Sequence, residues 1–387
     1  MNSTVDYFNL DELLGDEYLL IRQTVRDFVR TEILPEIDVK AQQHEEIPNL
    51  MKKLGGIGAL GPFVPSKYGG AGLDYLAYGL IMQELEAGDS AIRSAASVQS
   101  SLVMYPIYTF GSEEQRNKYL PILATGDWVG AFGLTEPNHG SDPSSMETRI
   151  KKDGEGYRLT GTKTWITNAP ICDVAVVWAR DEQGKIKGVI VERDDVGFST
   201  PEIKGKWSLR ASRTGELVLD AVFVSEDRVL PGVSSMRGPL SCLNSARYGI
   251  SWGVIGAAID CYQVALRYAL ERTQFGKPIA SYQLQQKKLA EIITEITKAQ
   301  LLSWRLGVLK NESRATPQQI SMAKRNNVDM ALRVARESRQ ILGAMGIVGD
   351  YPIMRHMMNL ESVITYEGTH DIHLLITGQD ITGISSF

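Results

Sequence analysis

Nine residues near the C-terminus of this 387-residue chain carry groups suited to proton transfer, and residues 365–373 read Thr-Tyr-Glu-Gly-Thr-His-Asp-Ile-His. Glu367 supplies a carboxylate, and Gly368 permits backbone conformations that other residues avoid. Thr369 is a suitable N-cap for a last helix that begins near Asp371. The pattern predicts a carboxylate at the tip of a turn. A surface Glu in an ordinary loop fits the same nine residues, so other stretches must decide between the two interpretations.

Two motifs in the middle of the chain have side chains suited to a planar or anionic ligand. Residues 132–142 form a turn-rich loop after a strand, with hydroxyls and free backbone N–H groups. Residues 163–168 place Trp165 near Thr167, so that a flat ring can cover one face of a heteroaromatic ligand while a hydroxyl donates to it. A Trp buried in the core is the alternative interpretation of the second motif.

Two glycine-containing segments differ in what they indicate. Residues 272–279 end a helix with a cation, an aromatic ring and Gly-Lys-Pro, an arrangement that could bind a pyrophosphate. Residues 56–61 match the letters GxGxxG, but a helix end precedes them and Pro62 follows at once. Because the phosphate-binding form needs a strand before the glycines and a helix after them, a dinucleotide site at residues 56–61 is rejected.

Composition excludes several classes of protein. The net charge of -5, without a Lys/Arg block, argues against a nucleic-acid partner, and no apolar run is long enough to predict a membrane span. The three cysteines are far apart, which fits a reducing compartment, and His370 and His373 have no further ligand nearby, so no metal is expected. The N-terminal residues 1–7 lack a signal or transit pattern. A cytoplasmic protein is expected, or a mitochondrial matrix protein if the chain is a processed one.

The hydrophobic periodicity changes twice along the chain, which predicts an α+β fold in three parts. Helical spacing dominates from residue 10 to about 124, short Val- and Thr-rich runs broken by Gly-containing turns follow from 129 to 224, and helical spacing returns after Pro239. We predict an N-terminal helical domain (1–130), a central antiparallel β-domain (131–236) and a C-terminal helical bundle that carries the 365–373 segment (237–387).

The four motifs, in this order and on this helix-sheet-helix background, resemble the acyl-CoA dehydrogenase family, and the resemblance covers essentially the whole chain. It implies a C-terminal four-helix bundle, a homotetramer with one FAD per subunit, an acyl-CoA substrate and an electron-transferring flavoprotein as electron acceptor. It assigns Glu367 as the catalytic base. FAD contacts are implied for Leu134, Thr135, Ser141, Trp165, Thr167, Arg272, Phe275, Gln283, Gln340, Gly343, Thr369 and Asp371, and contacts with the CoA part of the substrate for Ser141, Asn244 and Arg247.

These cofactor residues fall into sets with different implied roles. Thr135 and Thr167 would hold the flavin ring and Trp165 would pack on it. The residues from Arg272 to Gly343 would hold the pyrophosphate and adenosine, partly across a subunit interface. An exposed helix glutamine remains the alternative for both Gln283 and Gln340.

Within the family, the chain is most similar to the group that acts on glutaryl-CoA, through residues 86–94, 97–104, 206–212 and 366–373. An Arg in an apolar acyl pocket is costly unless it meets a carboxylate, so Arg93, assisted by Ser94, would bind the γ-carboxylate of a dicarboxylic acyl chain. The alternatives are an exposed helix Arg or an ion pair with Glu86. The resemblance also places Glu86 and Tyr366 among the substrate-binding residues, and Tyr366 matches the decarboxylating members of the group.

The resemblance therefore implies oxidation of glutaryl-CoA with loss of CO2 to give crotonyl-CoA. Three other activities remain open: a non-decarboxylating glutaryl-CoA dehydrogenase, a dehydrogenase or oxidase for another short or dicarboxylic acyl-CoA, and a flavin-binding protein without dehydrogenase activity.

Overall fold

A computed structural model describes residues 5–386 of the chain. Residues 1–4, which belong to the N-terminal stretch considered above, and residue 387 lie outside the described range. The first third is helical, as predicted, and its α-helices are α1 (Asp16–Phe28), α2 (Leu34–Gln43), α3 (Leu50–Gly56), α4 (Tyr75–Gly88), α5 (Ser90–Ser97), α6 (Tyr105–Phe110) and α7 (Glu113–Ala124).

Two of these helices form the inner layer of the N-terminal part. A single residue, Asp89, separates α4 from α5, and its carboxylate accepts a hydrogen bond from the N–H of Ala91 at 2.6 Å, so it caps the new helix. The same carboxylate accepts from the side chains of Arg355 and Asn359 on a C-terminal helix. Every residue of α5 is buried. The polar side chains of α5, Arg93 among them, therefore lie inside the protein.

The middle of the chain forms one seven-stranded sheet, in agreement with the predicted β region. Its strands are β1 (Gly130–Gly133), β2 (Arg149–Asp153), β3 (Gly156–Thr167), β4 (Val174–Arg180), β5 (Ile186–Glu192), β6 (Phe198–Ser199) and β7 (Thr214–Ser225). Four pairings are antiparallel. The structure adds two parallel pairings, β1 with β4 and β2 with β4. Strand β3 runs antiparallel to β2, so the chain has reversed direction before β4 begins and β4 can run parallel to β2.

The C-terminal part is a bundle of long helices, as predicted. The elements are α8 (Arg237–Glu271), a small hairpin of β8 (Thr273–Gln274) and β9 (Lys277–Pro278), α9 (Gln283–Asn311), α10 (Pro317–Leu342), α11 (Ile353–Val363) and α12 (His370–Thr382). Thr316 caps α10 through a capping box with Gln319. Helix α8 packs on both α10 and α4, so it joins the bundle to the N-terminal helices.

Among the described residues, α8 is the helix long and apolar enough to cross a bilayer by length and composition. In this fold 72% of its most apolar window is buried against the rest of the protein. Its apolar character is therefore that of a central core helix, in contact with helices on both sides.

Candidate active site

The turn between α11 and α12 holds Glu367 in an unusual backbone conformation. Glu367 has φ 57° and Gly368 has φ 92°, both in the left-handed region. For a residue with a side chain this conformation costs about 1–2 kcal/mol, so the surrounding structure must stabilise it. The predicted N-cap is confirmed: the Thr369 hydroxyl accepts from the N–H of Ile372 at 3.3 Å, and α12 begins at His370. The carboxylate therefore lies at the tip of a turn, as the sequence predicts.

Buried cations bind the backbone of this turn at three successive carbonyls. Lys324 Nζ donates to the carbonyl oxygens of Tyr366 at 3.0 Å and Gly368 at 2.9 Å. Arg247 Nε donates to the carbonyl oxygen of Glu367 at 2.7 Å. Lys324 lies on α10 and Arg247 on α8. The turn is thus attached to the two helices that form the centre of the bundle.

The carboxyl group of Glu367 is poised to exchange a proton near neutral pH. The residue keeps partial exposure, but its Oε2 atom is buried and has no hydrogen-bond partner among residues 5–386. Burial raises the pKa of Glu367 from 4.5 to about 7, against the opposing charges of Arg247, Lys324 and Arg93. Desolvation disfavours the charged form and exceeds the attraction of three nearby cations. A surface Glu in an ordinary loop, the alternative interpretation, does not have these properties.

A buried ion pair lies beside the turn. Arg93 is 1% exposed and Glu86 is 0% exposed, and Nε of Arg93 donates to Glu86 Oε2 at 2.6 Å. A second guanidinium nitrogen donates to the hydroxyl of Tyr366, the residue before Glu367. Burial opposes the charge of Arg93, but the Glu86 carboxylate and Tyr366 outweigh it and raise the pKa of the guanidinium. The ion pair with Glu86, one of the alternatives that the sequence left open, is present. The other alternative, an exposed Arg on a helix, is wrong.

The hydroxyl of Tyr366 is protonated at physiological pH, because burial raises its pKa to about 12. Ser94, the neighbour of Arg93 on α5, is 4% exposed. A cation, a carboxylate and a serine hydroxyl are thus buried in this part of the molecule, together with a partly buried phenol. A carboxylate on a bound molecule could accept from the guanidinium, the phenol or the serine, so the composition suits a ligand that carries a carboxylate.

Trp165 is exposed because the strand that carries it is bulged. The register of β3 against β7 shifts between Lys163 and Ile166, and Trp165 has φ 60° and is 63% exposed. A bulge turns a side chain out of the sheet, which explains the exposure. The predicted alternative, a Trp buried in the core, is wrong. An indole ring that is free on one face, with the Thr167 side chain two residues along the strand, fits the planar ring of a flavin.

The loop after β1 is hydrogen-bonded to the bulge that carries Trp165. The N–H of Thr164, inside the bulge, donates to the carbonyl of Thr135 at 2.9 Å. A buried ion pair lies under the loop, with Lys163 Nζ 2.8 Å from Glu136 Oε1. Leu134 is buried, Thr135 is half-buried and Ser141 is exposed. The sequence places Leu134, Thr135 and Trp165 in two motifs, and the bulge brings these motifs together.

The remaining residues predicted to bind FAD lie on the surface of this chain. Phe275 is 93% exposed at the tip of the β8–β9 hairpin, and the others exposed are Arg272, Gln283, Gln340, Gly343 and Asp371. Thr369 is half-buried at the start of α12. An exposed helix glutamine, the alternative for Gln283 and Gln340, is what a single chain shows. Their predicted role across a subunit interface stays a prediction.

The residues predicted to contact CoA lie against the turn. Arg247 is 7% exposed, and besides the Glu367 carbonyl it donates to the side-chain oxygen of Asn244 at 3.4 Å. Arg247 thus fixes the backbone of the turn, a role that the sequence does not suggest. Contact of Asn244 and Arg247 with CoA stays a prediction.

Sequence reasoning missed two residues at the turn, Lys324 and His373. Lys324 is 1% exposed, and burial lowers its pKa to about 7. His373 is 0% exposed, and burial together with the charges of Lys324 and Arg247 lowers its pKa to about 3. The sequence does contain a sign of the first, because Lys324 falls in the buried stripe of α10 with Ile320 and Val328. A charge at an apolar helix position suggests a partner elsewhere in the fold.

Replacing Gly368 with Ala will damage the turn. An added Cβ would lie 3.0 Å from His373 Nε2 and 3.2 Å from an Arg247 guanidinium nitrogen, at φ 92°. We expect a loss of about 2–4 kcal/mol in unfolding free energy, because strain and crowding add. Thermal unfolding of the variant measures it. Gly378→Ala on α12, where an added Cβ meets nothing within 4 Å, is the control. Equal stability of the two variants would contradict the expectation.

Within residues 5–386, no group of three or more His, Cys, Asp or Glu side chains is arranged to hold a metal ion. The three cysteines are buried and free. The histidine pair on α12 is separated by burial, since His373 is enclosed and His370 is partly exposed.

Comparison with known proteins matches the whole chain to one family. Three family models match in order: the acyl-CoA dehydrogenase N-terminal domain at residues 15–127, the middle domain at 131–222 and the C-terminal domain at 236–382. An acyl-CoA dehydrogenase of Bacillus subtilis is 37% identical over 95% of this chain and 98% of its own length. The human mitochondrial short-chain specific acyl-CoA dehydrogenase is 34% identical over 94% of this chain and 89% of its own length.

Solved structures agree with these matches. A crystal structure of glutaryl-CoA dehydrogenase from Mycobacterium smegmatis is 49% identical, covers 100% of both chains and superposes with a TM-score of 0.97. A glutaryl-CoA dehydrogenase from the same organism in complex with FADH2 is 46% identical, again over 100% of both chains, with a TM-score of 0.98.

Proposed function

Because the chain belongs to the acyl-CoA dehydrogenase family and is an FAD-dependent dehydrogenase, we propose that its substrate is glutaryl-CoA. The proposed reaction oxidises the acyl chain between its α- and β-carbons and then releases CO2 to give crotonyl-CoA. An electron-transferring flavoprotein would receive the electrons. The observation that carries the proposal is the buried guanidinium of Arg93 beside Tyr366, the residue before Glu367, whose carboxyl has a buried oxygen.

The acyl group would be selected by charge. A monocarboxylic acyl chain would bring methyl and methylene groups up to a buried guanidinium, where they could not satisfy its hydrogen-bonding capacity. The terminal carboxylate of a glutaryl group would accept hydrogen bonds from Arg93, Tyr366 and Ser94. Charge-assisted hydrogen bonds of this kind contribute about 1.5–3 kcal/mol each, so a dicarboxylic acyl chain is favoured.

Glu367 would remove the α-proton of the thioester. A base with a pKa of about 7 is ionised in about half of the molecules at neutral pH, while it remains strong enough to take a proton in the transition state. The backbone bonds from Lys324 and Arg247 hold the turn in one position as the proton moves. FAD, held by Trp165, Thr135 and Thr167, would supply the acceptor for the hydride that leaves the β-carbon in the oxidation to glutaconyl-CoA.

Loss of CO2 follows from the same groups. In glutaconyl-CoA the γ-carbon is attached to a double bond that is conjugated with the thioester. The electron pair of the bond between the γ-carbon and the carboxylate can therefore pass into a dienolate as CO2 leaves. Glu367, which now holds the proton taken from the α-carbon, returns a proton to the γ-carbon and regenerates its carboxylate. Tyr366, with its pKa of about 12, stays neutral throughout and would orient the carboxylate by hydrogen bonding.

The cofactor would be held by the exposed face of Trp165 and the hydroxyls of Thr135 and Thr167 on one side. Its pyrophosphate and adenosine would lie against Arg272, Phe275, Gln283, Gln340 and Gly343. Phe275, 93% exposed at the tip of the β8–β9 hairpin, and Leu284, 74% exposed at the start of α9, are large apolar side chains on the same surface, which is unusual for a free surface. We therefore propose that a homotetramer covers this surface and completes the site.

The decisive assay mixes the FAD-loaded protein with glutaryl-CoA and a dye acceptor, and measures crotonyl-CoA and CO2 together. Equal amounts of the two products are expected. Accumulation of glutaconyl-CoA without CO2 would replace the proposal with a non-decarboxylating dehydrogenase. Turnover with oxygen in place of the dye would favour an oxidase.

A short-chain acyl-CoA dehydrogenase is the second candidate, and the matched human relative favours it. Butyryl-CoA and glutaryl-CoA, compared by the kcat/KM of flavin reduction, distinguish the two functions. A preference for butyryl-CoA would support the second candidate and would remove Arg93 from recognition of a carboxylate.

Flavin reduction should be slow at acid pH. Only ionised Glu367 can accept the α-proton, and its pKa of about 7 lies well above the usual 4.5. We expect the rate to rise with pH through about 7 and to fall about tenfold for each unit below about 6. Stopped-flow bleaching of the flavin at substrate concentrations well below KM measures it, because kcat/KM reports the pKa of the free protein. A rate that does not change between about pH 5.5 and 7.5 would exclude Glu367 as a base with this pKa.

A further inference from the structure

Lys324 lies outside every sequence motif, yet it contacts the backbone on both sides of Glu367. Its ammonium group is enclosed within the protein and bridges the carbonyl oxygens of Tyr366 and Gly368 at 3.0 and 2.9 Å. Arg247 binds the carbonyl between them at 2.7 Å. The two cations leave the turn little freedom to rotate.

The conformation of the turn requires such support. Two successive residues, Glu367 and Gly368, have positive φ values, and only the second is a glycine. A residue with a side chain stays in this region only where its surroundings fix it. The supports come from α8 and α10, which are 35 and 26 residues long. Long packed helices are rigid anchors, in contrast to the loop that they hold.

We propose that Lys324 is a positioning residue for proton transfer, which holds the carbonyls of Tyr366 and Gly368 so that the Glu367 carboxyl keeps its orientation and its ionised form is favoured. The proposal deepens the function proposed above and rests on Glu367 as the base. Lys324 does not contact the carboxyl group through a hydrogen bond. It acts through the peptide groups and through its charge.

The charge effect depends on what surrounds the carboxyl. The titratable groups that face Glu367 are Tyr78 on α4, Arg93 on α5, Cys242 and Arg247 on α8, Lys324 on α10, Tyr366 in the turn and His373 on α12. Burial raises the pKa of Tyr78 and Cys242 and lowers that of His373 to about 3, so these three are neutral near pH 7. The charged neighbours are therefore Arg93, Arg247 and Lys324, and burial lowers the pKa of Lys324 itself to about 7. Removing Lys324 takes away a charge that is present up to about neutral pH, so it should raise the pKa of Glu367.

The test compares FAD-loaded Lys324→Met with the unchanged protein by two measurements that need no substrate. Hydrogen–deuterium exchange reports the turn at residues 364–370, and we expect exchange about tenfold faster or more in the variant. Infrared titration reports the Glu367 carboxyl, whose band is identified by its loss in Glu367→Gln. Its midpoint should rise by about one pH unit. Lys324→Arg, which keeps charge and donors, should restore the titration midpoint.

Lys310→Met is the matched control. This lysine is also a partly enclosed amine, with burial lowering its pKa to about 8, but it packs over the ring of Tyr75 at 4.2 Å. Exchange at the turn and the Glu367 midpoint should be unchanged in this control. With glutaryl-CoA, Lys324→Met should reduce the flavin about ten- to a hundredfold more slowly with KM altered less than about threefold, since position and protonation change while binding contacts remain.

Unchanged exchange and an unchanged midpoint in Lys324→Met would overturn the proposal. If that variant fails to fold or to hold FAD, Lys324→Gln keeps an amide donor without the charge. A raised midpoint is then expected, and a midpoint equal to that of the unchanged protein contradicts the proposal. A protein that oxidised no acyl-CoA would disprove the proposed function, whereas these two measurements would still decide the role of Lys324.

Discussion

Glu367→Gln should abolish flavin reduction by acyl-CoA while FAD stays bound. The amide has nearly the shape of the carboxyl group, and the buried Oε2 atom has no hydrogen-bond partner within residues 5–386 whose loss would disturb the turn. Loss of a general base reduces the rate by about 10²–10⁴. Anaerobic stopped-flow with glutaryl-CoA measures the rate, and the visible spectrum of the purified variant measures retained FAD.

Glu361→Gln provides the control for this variant. Glu361 lies on α11, six residues before Glu367, where it is exposed and pairs with Arg336 at 2.6 Å. Exposed ion pairs contribute little, so both the rate and the stability should be nearly unchanged. If Glu367→Gln retained more than about a tenth of the rate, a different group would be the base.

Glu367→Gln should also be more stable than the unchanged protein at neutral and alkaline pH. The folded-state pKa of Glu367, about 7, lies above the usual 4.5, so the folded state holds the proton more tightly than the unfolded state does. Stability from this group is present below about pH 4.5 and is lost as pH rises through about 7, by at most about 3 kcal/mol. Glutamine cannot ionise and loses nothing. Thermal unfolding at pH values on both sides of this window measures the difference.

Arg93→Ala should lower kcat/KM for glutaryl-CoA about a hundredfold more than for butyryl-CoA. Losing a buried charge-assisted contact with a substrate carboxylate costs about 2–5 kcal/mol, which at a factor of ten per 1.4 kcal/mol corresponds to a loss of about 30- to 4,000-fold. A butyryl group has no carboxylate to lose. Equal losses with the two substrates would show that Arg93 has a structural role alone.

The ion pair with Glu86 complicates the single variant, because alanine at position 93 leaves a carboxylate at 0% exposure without its cation. Breaking a buried pair in this way destabilises a protein by about 3–5 kcal/mol. Glu86→Gln combined with Arg93→Met removes both charges at similar volume and should recover much of that stability. The double variant should still lose far more activity with glutaryl-CoA than with butyryl-CoA. That result would show that Arg93 recognises the substrate carboxylate, independently of its effect on stability.

The parts of the site that depend on local geometry could be predicted from the sequence. A glycine after a glutamate, followed by a threonine cap, defines a turn through interactions within a few residues, and the structure contains that turn. The change from helical spacing to short Val-rich runs and back gave the order of the three regions in the same way. These patterns depend on residues within one helical turn or one strand, so they can be recognised in the sequence before the fold is known.

The parts that depend on long-range contacts could not be predicted. Lys324 and Tyr366 are 42 residues apart, and Arg93 and Tyr366 are 273 apart, so no local pattern joins them. The two parallel pairings of β4 likewise form between strands that are not neighbours in the chain. The bulge that exposes Trp165 needs β7 as its partner, which lies about 50 residues later in the chain. Only the family resemblance drew attention to Arg93.

The cations around the Glu367 turn act on both participants in the reaction that it is proposed to carry out. Positive potential reduces the proton affinity of the glutamate, which weakens it as a base. The same potential stabilises an enolate formed on a thioester nearby, which makes the carbon acid stronger. The two changes nearly cancel in the free energy of transfer. An enclosure this electropositive would therefore retain anionic intermediates tightly without making the base too strong to release its proton afterwards.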